Sequence, residues 1–186
     1  KKRYTTALII GSVIILALLL MLFFYQPNYY KEPGSRLNVE NQMVTGNTTR
    51  VYGNDIYETA ASISQITYPA TFDEDKPNAV ILVRGDSKTD AIQAARIIHH
   101  PNNAPILFIR KNSIPETTLK EMERLDPQGI FIDGNIKAIL VGDIGKNIKE
   151  EIKKMGWRFR HIEGKDPFIL GKNISDYLAV IHGDHR

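Results

Sequence analysis

The sequence predicts an α/β domain of three layers, a mostly parallel sheet with helices on both faces, preceded by one transmembrane helix. Three observations lead there. Two short runs, NAVILV at 78–83 and APILFI at 104–109, are apolar apart from Asn78 and rich in β-branched residues, as strands buried on both faces are. Segments with helical spacing and recognisable caps stand between such runs, so strand and helix alternate along the chain. Ahead of them all lies ALIIGSVIILALLLMLFFY, 19 residues at 7–25 without a charge.

A helix of that length spans roughly 28 Å, close to the hydrocarbon thickness of a bilayer. Lys1, Lys2 and Arg3 precede it, and Tyr4, Tyr25, Tyr29 and Tyr30 flank it as an interfacial belt. The basic flank predicts a cytoplasmic N-terminus at 1–6, a single pass of the cell membrane, and an extracytoplasmic C-terminal part. The apolar run is long for a cleaved signal, and no small-x-small site follows it, so an uncleaved signal anchor is expected. Residues 26–49 are polar, hold two prolines and show no periodicity, which predicts a linker.

From 50 to 163 the alternation sets in. Asn54 or Asp55 caps a first helix with Glu58 in its first turn and Ile56, Ala60 and Ile63 as its apolar stripe. After the strand at 78–83, Ser87 and Asp90 form a candidate capping box for a helix whose Ala91, Ala94, Ala95 and Ile98 share a face. After the strand at 104–109, Ser113-Ile-Pro-Glu116 is a second candidate box, opening a helix to about Leu125. GIFID and IKAILVG flank Gly134-Asn135 and predict either a hairpin or a strand with an insertion. Ile148, Ile152 and Met155 line a helix that stops at Gly156, and WRFRHIE at 157–163 alternates as a strand does. The remainder, 164–186, reads as a terminal helix or the start of a second repeat.

Composition excludes several classes. There is no cysteine in the 186 residues, which removes disulfides, thiolate catalysis and Cys-ligated metal. The net charge of +3 comes from the N-terminal part: residues 1–39 hold five Lys/Arg and one acid, leaving 19 basic and 20 acidic residues for the rest. The outer part is near neutral, so no nucleic-acid partner is expected. Arg84-Gly85-Asp86-Ser87 spells an adhesion tetrapeptide, but it falls at a strand end before a helix cap and reads as a turn.

One internal repeat is visible. VYGNDIYETAASIS at 51–64 matches IEGKDPFILGKNIS at 162–175, with Gly53, Asp55, Tyr57, Ile63 and Ser64 meeting Gly164, Asp166, Phe168, Ile174 and Ser175. The blocks RVYGNDIYETAASIS, VILVRGDSKTDAIQAARII, APILFIRKNSIPETTLKEMERL, ILVGDIGKNIKEEIKKMG and RHIEGKDPF, in that order, resemble the type 2 cell-wall-binding repeat of Gram-positive bacteria. The resemblance covers 50 to about 168. Its motif residues here are Gly53, Asp55, Tyr57 and Glu58, with Gly164 and Asp166 opening the next repeat. It implies a Toprim-like module, packed in the family as trimers of tandem copies, that holds proteins to anionic wall polymers without catalysis. This chain departs in having about one repeat, a longer stretch between Leu125 and Gly142, and Val-Gly-Asp in place of Val-Gly-Gly. A homotrimer, further repeats beyond 186, or another envelope protein would then complete the assembly.

In an open α/β sheet, ligands bind beyond the carboxyl ends of the strands, where helix N-termini offer free N–H groups. Ser87, Lys88, Arg110, Lys111, Ser113 and Lys146 fall at such ends and form the candidate anion site. A second basic group, Lys149, Lys153, Lys154, Arg158 and Arg160, is interrupted by Glu150 and Glu151 and reads as a solvated face. Asp86 and Asp143 follow strands without an Asp-x-Asp pair, and the adjacent His99 and His100 point about 100° apart on a helix, so no metal site is expected. Ser87 lacks a nucleophile-elbow motif, and no cofactor is expected. The expected function is therefore a membrane-anchored module binding anionic cell-wall polysaccharide or a teichoic-acid-like polymer. The alternatives are a protein-assembly domain and, more weakly, a Toprim-like enzyme. An apolar surface patch would favour assembly, and a basic groove would favour polymer.

Overall fold

The computed structural model describes residues 42–44 and 48–183. The apolar segment expected to span a membrane, its basic flank and most of the linker lie outside them. Among the described residues, no helix is long and apolar enough to cross a membrane.

Where the linker was expected to end, Gln42–Val44 (β1) pairs antiparallel with Thr49–Val51 (β2). Val44, Thr49 and Val51 are β-branched, and Gly46-Asn47 between the strands is turn sequence. The chain then forms Ile56–Thr67 (α1), Val80–Arg84 (β3), Lys88–Ala94 (α2), Ile106–Ile109 (β4), Glu116–Leu125 (α3), Ala138–Val141 (β5), Lys146–Lys154 (α4), Phe159–Ile162 (β6) and Pro167–Ile181 (α5). Strands β3 to β6 make one parallel sheet in the order β4-β3-β5-β6.

Alternate strand residues point to opposite faces, and each face has its own core. On the front, Ile81, Val83, Ile139, Val141 and Ile162 meet Ala94 of α2 and Leu170, Ile174 and Tyr177 of α5. On the back, Val80, Leu82, Leu107, Ile109 and Leu140 meet Ala60 of α1, Met122 and Leu125 of α3, and Ile148 and Ile152 of α4. The helices thus lie two in front and three behind, which is the three-layer α/β architecture expected.

Several local expectations are corrected. Of the stripe Ile56, Ala60 and Ile63, Ala60 enters the core as expected, but α1 buries Ala61 and Ser64 beside it and leaves Ile56 and Ile63 exposed. Helix α2 tightens into a 3-10 turn at Ala95–Ile97, which turns Ile97 into the core and leaves Ala95 outside. No hairpin forms around Gly134. A single antiparallel bridge, Ile130 to Ile136, closes a 3-10 turn at Phe131–Asp133, and β5 joins the parallel sheet. Ser113 does not cap α3. Pro115 takes the cap position in an extended conformation, so the helix starts two residues later than the box predicts, at Glu116.

Among the described residues, the buried Ser64 hydroxyl has no hydrogen-bond partner, and the other buried polar side chains are paired. The Tyr177 hydroxyl donates to Asn102 Oδ1 at 2.9 Å, and Asn102 Nδ2 donates to the Ile97 carbonyl at 2.8 Å. Glu121, fully buried, accepts from Arg124 through both oxygens, at 2.8 and 2.7 Å. The same guanidinium donates to the carbonyls of Tyr68 and Pro69, which binds α3 to the loop after α1.

Candidate functional site

The repeat motif is a helix-start device. Asp55 accepts from the N–H groups of Tyr57 and Glu58, both at 2.8 Å. Glu58 reaches back to the Asn54 N–H at 2.8 Å, and Thr59 accepts from the Gly53 N–H at 3.0 Å. Gly53 passes so close to the first turn that a Cβ there would stand 2.6 Å from the Thr59 nitrogen. The second copy does the same: Asp166 accepts from the Ile169 N–H at 2.8 Å, and a Cβ on Gly164 would stand 2.6 Å from Leu170 Cα. The spacing Gly-x-Asp is thus set by a glycine under the helix and an aspartate on its end.

The start of α1 abuts the carboxyl edge of the sheet. Gly85, just past β3, has the Ile56 side chain where its Cβ would be, and Tyr57 beside it. The Arg110 guanidinium, just past β4, lies over the Tyr57 ring at 5.3 Å from its centroid. Tyr57, expected only as a motif residue, therefore belongs to the same edge as the candidate anion-binding residues.

The cations of that edge divide into two sets. Arg84 holds Asp86 in a fork, Nε to Oδ1 at 2.8 Å and Nη2 to Oδ2 at 2.7 Å, and reaches Asp143 Oδ2 at 3.4 Å. Lys111 closes on the same Asp143 oxygen. The Lys111 ammonium holds the Asp143 carboxyl below the usual carboxylate range, and the Arg84 guanidinium does so for Asp86. These four residues form one network in which each charge has a partner. Sequence reasoning weighed the two aspartates only as metal ligands and missed them as counter-ions, although Val-Gly-Asp in place of Val-Gly-Gly was visible. The arginine and aspartate of the adhesion-like tetrapeptide are engaged with each other, and Ser87 caps α2 by accepting from the Asp90 N–H at 3.4 Å. The return half of that box does not form; the Ser87 N–H donates to the Arg84 carbonyl at 3.2 Å.

Lys88 and Lys146, the first residues of α2 and α4, are exposed and make no ion pair among the described residues. Ser113 stays at the edge through its backbone, its carbonyl accepting from the Arg110 N–H at 3.0 Å. The Gly145 N–H donates to the Lys111 carbonyl at 2.9 Å, joining the loops after β4 and β5. The edge therefore offers Lys88, Arg110 and Lys146 to an anion, with Lys111 shared. Asp133, the acid in the turn before β5, pairs with Arg160. Among the described residues, no group of three or more His, Asp or Glu is placed to hold a metal ion.

Elsewhere, an apolar groove of about 740 Å³ runs between the outer side of α1, the front of β4 and the end of α2. A smaller pocket of about 390 Å³, with Arg160, His161, Glu163 and Asp176 in its lining, lies between β6 and α5.

Residues 50–150 match the family model described as cell wall binding domain 2 (CWB2). Over 151 residues, 81% of this chain, the sequence is 29% identical to the amidase enhancer of Bacillus subtilis (strain 168) and covers 18% of it. Two solved structures share the fold. Cwp6 from Clostridium difficile superposes with a TM-score of 0.59 at 22% identity, covering 75% of this chain and 22% of that one. Cwp8 from the same organism gives 0.53 at 24% identity, covering 68% and 20%. The chain spans about a fifth of the length of these proteins. With the family match running over more than half of its residues, this chain belongs to the cell wall binding domain 2 family.

Proposed function

We propose that the protein is an extracytoplasmic module on a Toprim-like scaffold, anchored in the cell membrane by the apolar segment at 7–25, that holds an anionic wall polymer non-covalently. The observation that carries this reading is the edge at the strand ends. Lys88 and Lys146 begin helices with their charges free of carboxylates among the described residues, and Arg110 is held in place on Tyr57. Cations beside helix N-termini suit phosphate or uronate groups repeated along a chain, each contact weak and the sum salt-sensitive. Membership in a cell-wall-binding family supports the same class of partner. Similarity to a protein named as an amidase enhancer favours a binding or regulatory role over a catalytic one.

The test is retention on purified anionic wall polymer. Arg110→Ala with Lys146→Ala is expected to lower retention several-fold at low ionic strength, with the difference shrinking as salt rises. Equal retention of the variant at every salt concentration would remove this edge as the binding site. A second reading, assembly with other proteins, is favoured by the apolar groove beside α1, which has no counterpart in a polymer-binding role.

A further inference from the structure

We infer that the turn at 130–136 is a lipid-contacting tip, which lays the amino ends of the strands on a membrane surface and leaves the strand-end edge facing away from it. The inference rests on the membrane-anchor reading above and goes beyond polymer binding. The turn holds two neighbouring apolar side chains in solvent, Phe131 at 86% and Ile132 at 57% exposure. Its frame is fixed. Ile130 and Ile136 at its base are buried in the front core, and the Ile130 N–H donates to the Ile136 carbonyl at 2.9 Å. The Asp133 and Asn135 N–H groups donate back to the Ile130 carbonyl at 3.0 and 2.9 Å. Arg158 Nη1 donates to the Gly134 carbonyl at 3.0 Å, and Arg160 pairs with Asp133, whose side chain is 8% exposed. The turn thus hides its one acid and presents phenylalanine and isoleucine on a rigid support. It falls between Leu125 and Gly142, the stretch in which this chain is longer than the family pattern.

A bilayer is the partner that fits. Large apolar side chains on a hydrogen-bonded turn suit the interfacial zone, where free backbone groups still meet headgroups and water. Exposed charges in the connections on this side oppose one another: Lys153, Lys154 and Arg158 stand against Glu74 and Asp75. The contact therefore depends on the apolar tip and not on lipid charge. Residues 26–41, the 16 between the proposed anchor and β1, reach at most about 55 Å, against about 18 Å for the 12 residues of α1. Either edge of the sheet can then meet the bilayer, and the apolar tip decides between them. The turn leads into the start of β5, at the opposite end of the sheet from Lys88, Arg110 and Lys146. With the tip on lipid, those cations point outward, where a wall polymer lies.

The test uses the full chain in phosphatidylcholine nanodiscs, one chain per disc, with both faces open to solvent. The chain has no cysteine, so a single substitution carries a single nitroxide label. One label is placed at Ile132→Cys and another at Thr89→Cys, an exposed position in the first turn of α2. The ratio of relaxation by oxygen, which concentrates in lipid, to relaxation by an aqueous nickel chelate is expected to be several-fold higher at 132 than at 89. Phe131→Asp should bring the ratio at 132 down to that at 89, and Phe131→Ser should lower it in the same direction without adding a charge. Phe131 is largely exposed, so both variants are expected to keep the thermal unfolding transition. Equal ratios at the two positions overturn the inference. So does a contrast that survives both substitutions, since something other than the tip would then shield the label. Elution with the discs reads the anchor separately. A chain that elutes with them yet has equally wet labels overturns this inference alone, and a chain that does not removes the anchor reading and this inference with it.

Discussion

At the scale of single residues, the family motif is explained by clearance and capping. Gly164 is placed where any Cβ would press on the backbone of the following helix, so Gly164→Ala must push Leu170 out of the front core or distort the turn. The expected loss is about 1–3 kcal/mol, read as a lower denaturant midpoint with unchanged slope. Replacing the cap, Asp55→Ala, should cost about 1 kcal/mol by leaving the Tyr57 and Glu58 N–H groups without their acceptor. Both residues were legible in the sequence, because a motif that repeats is its own control. The ion pairs around Asp143 were not, since they join Arg84, Lys111 and Asp143 from the ends of three strands that only the sheet brings together.

At the scale of elements, strand positions could be read directly, because a strand buried on both faces leaves an unbroken apolar run. Which side of each helix faces the sheet was harder to read. The stripe on α1 obeys helical periodicity, yet only Ala60 enters the core while Ile56 and Ile63 line the groove, because periodicity reports an apolar side and not what covers it. Helix α3 adds a buried charged pair to the apolar packing of Met122 and Leu125. Arg124→Ala would leave the fully buried Glu121 carboxylate without its fork and free the carbonyls of Tyr68 and Pro69, an expected loss of about 3–5 kcal/mol in a chemical melt. The end of the same helix has a gentler pH dependence. Burial works to raise the Asp126 carboxyl, but Lys137 and Lys76 outweigh it and hold it below its ordinary value. A carboxyl lowered in the folded state contributes stability above its unfolded value and loses it as pH falls through the folded one. Asp126→Asn should therefore flatten part of the acid limb of the stability curve, by no more than about 0.5–1 kcal/mol at this half-open site. The asparagine keeps the left-handed backbone that Asp126 adopts at the end of α3, with φ at 36°.

At the scale of the whole molecule, charge is the deciding quantity. Residues 40–186 hold 19 basic and 20 acidic side chains, so no long-range attraction draws an anionic polymer to the domain as a body. Binding must depend on how charges are sorted at the strand-end edge, where Asp86 and Asp143 offset Arg84 and Lys111. Removing one counter-ion should then strengthen binding rather than weaken it. Asp143→Asn keeps the shape of the side chain and frees Lys111, with part of Arg84, for the ligand. Retention on a phosphodiester polymer is expected to rise several-fold at neutral pH and low salt. Acid should mimic the substitution in the wild type, with the sign fixed by the cations that depress both carboxyls: the rise begins only below the ordinary aspartate range, under about pH 4. A phosphodiester stays ionised there, so the change belongs to the protein, and the Asn variant should show a smaller acid response than the wild type. Retention that falls in Asp143→Asn would mean that the aspartate itself contacts the polymer, as an acceptor for sugar hydroxyls, and that the edge reads neutral groups.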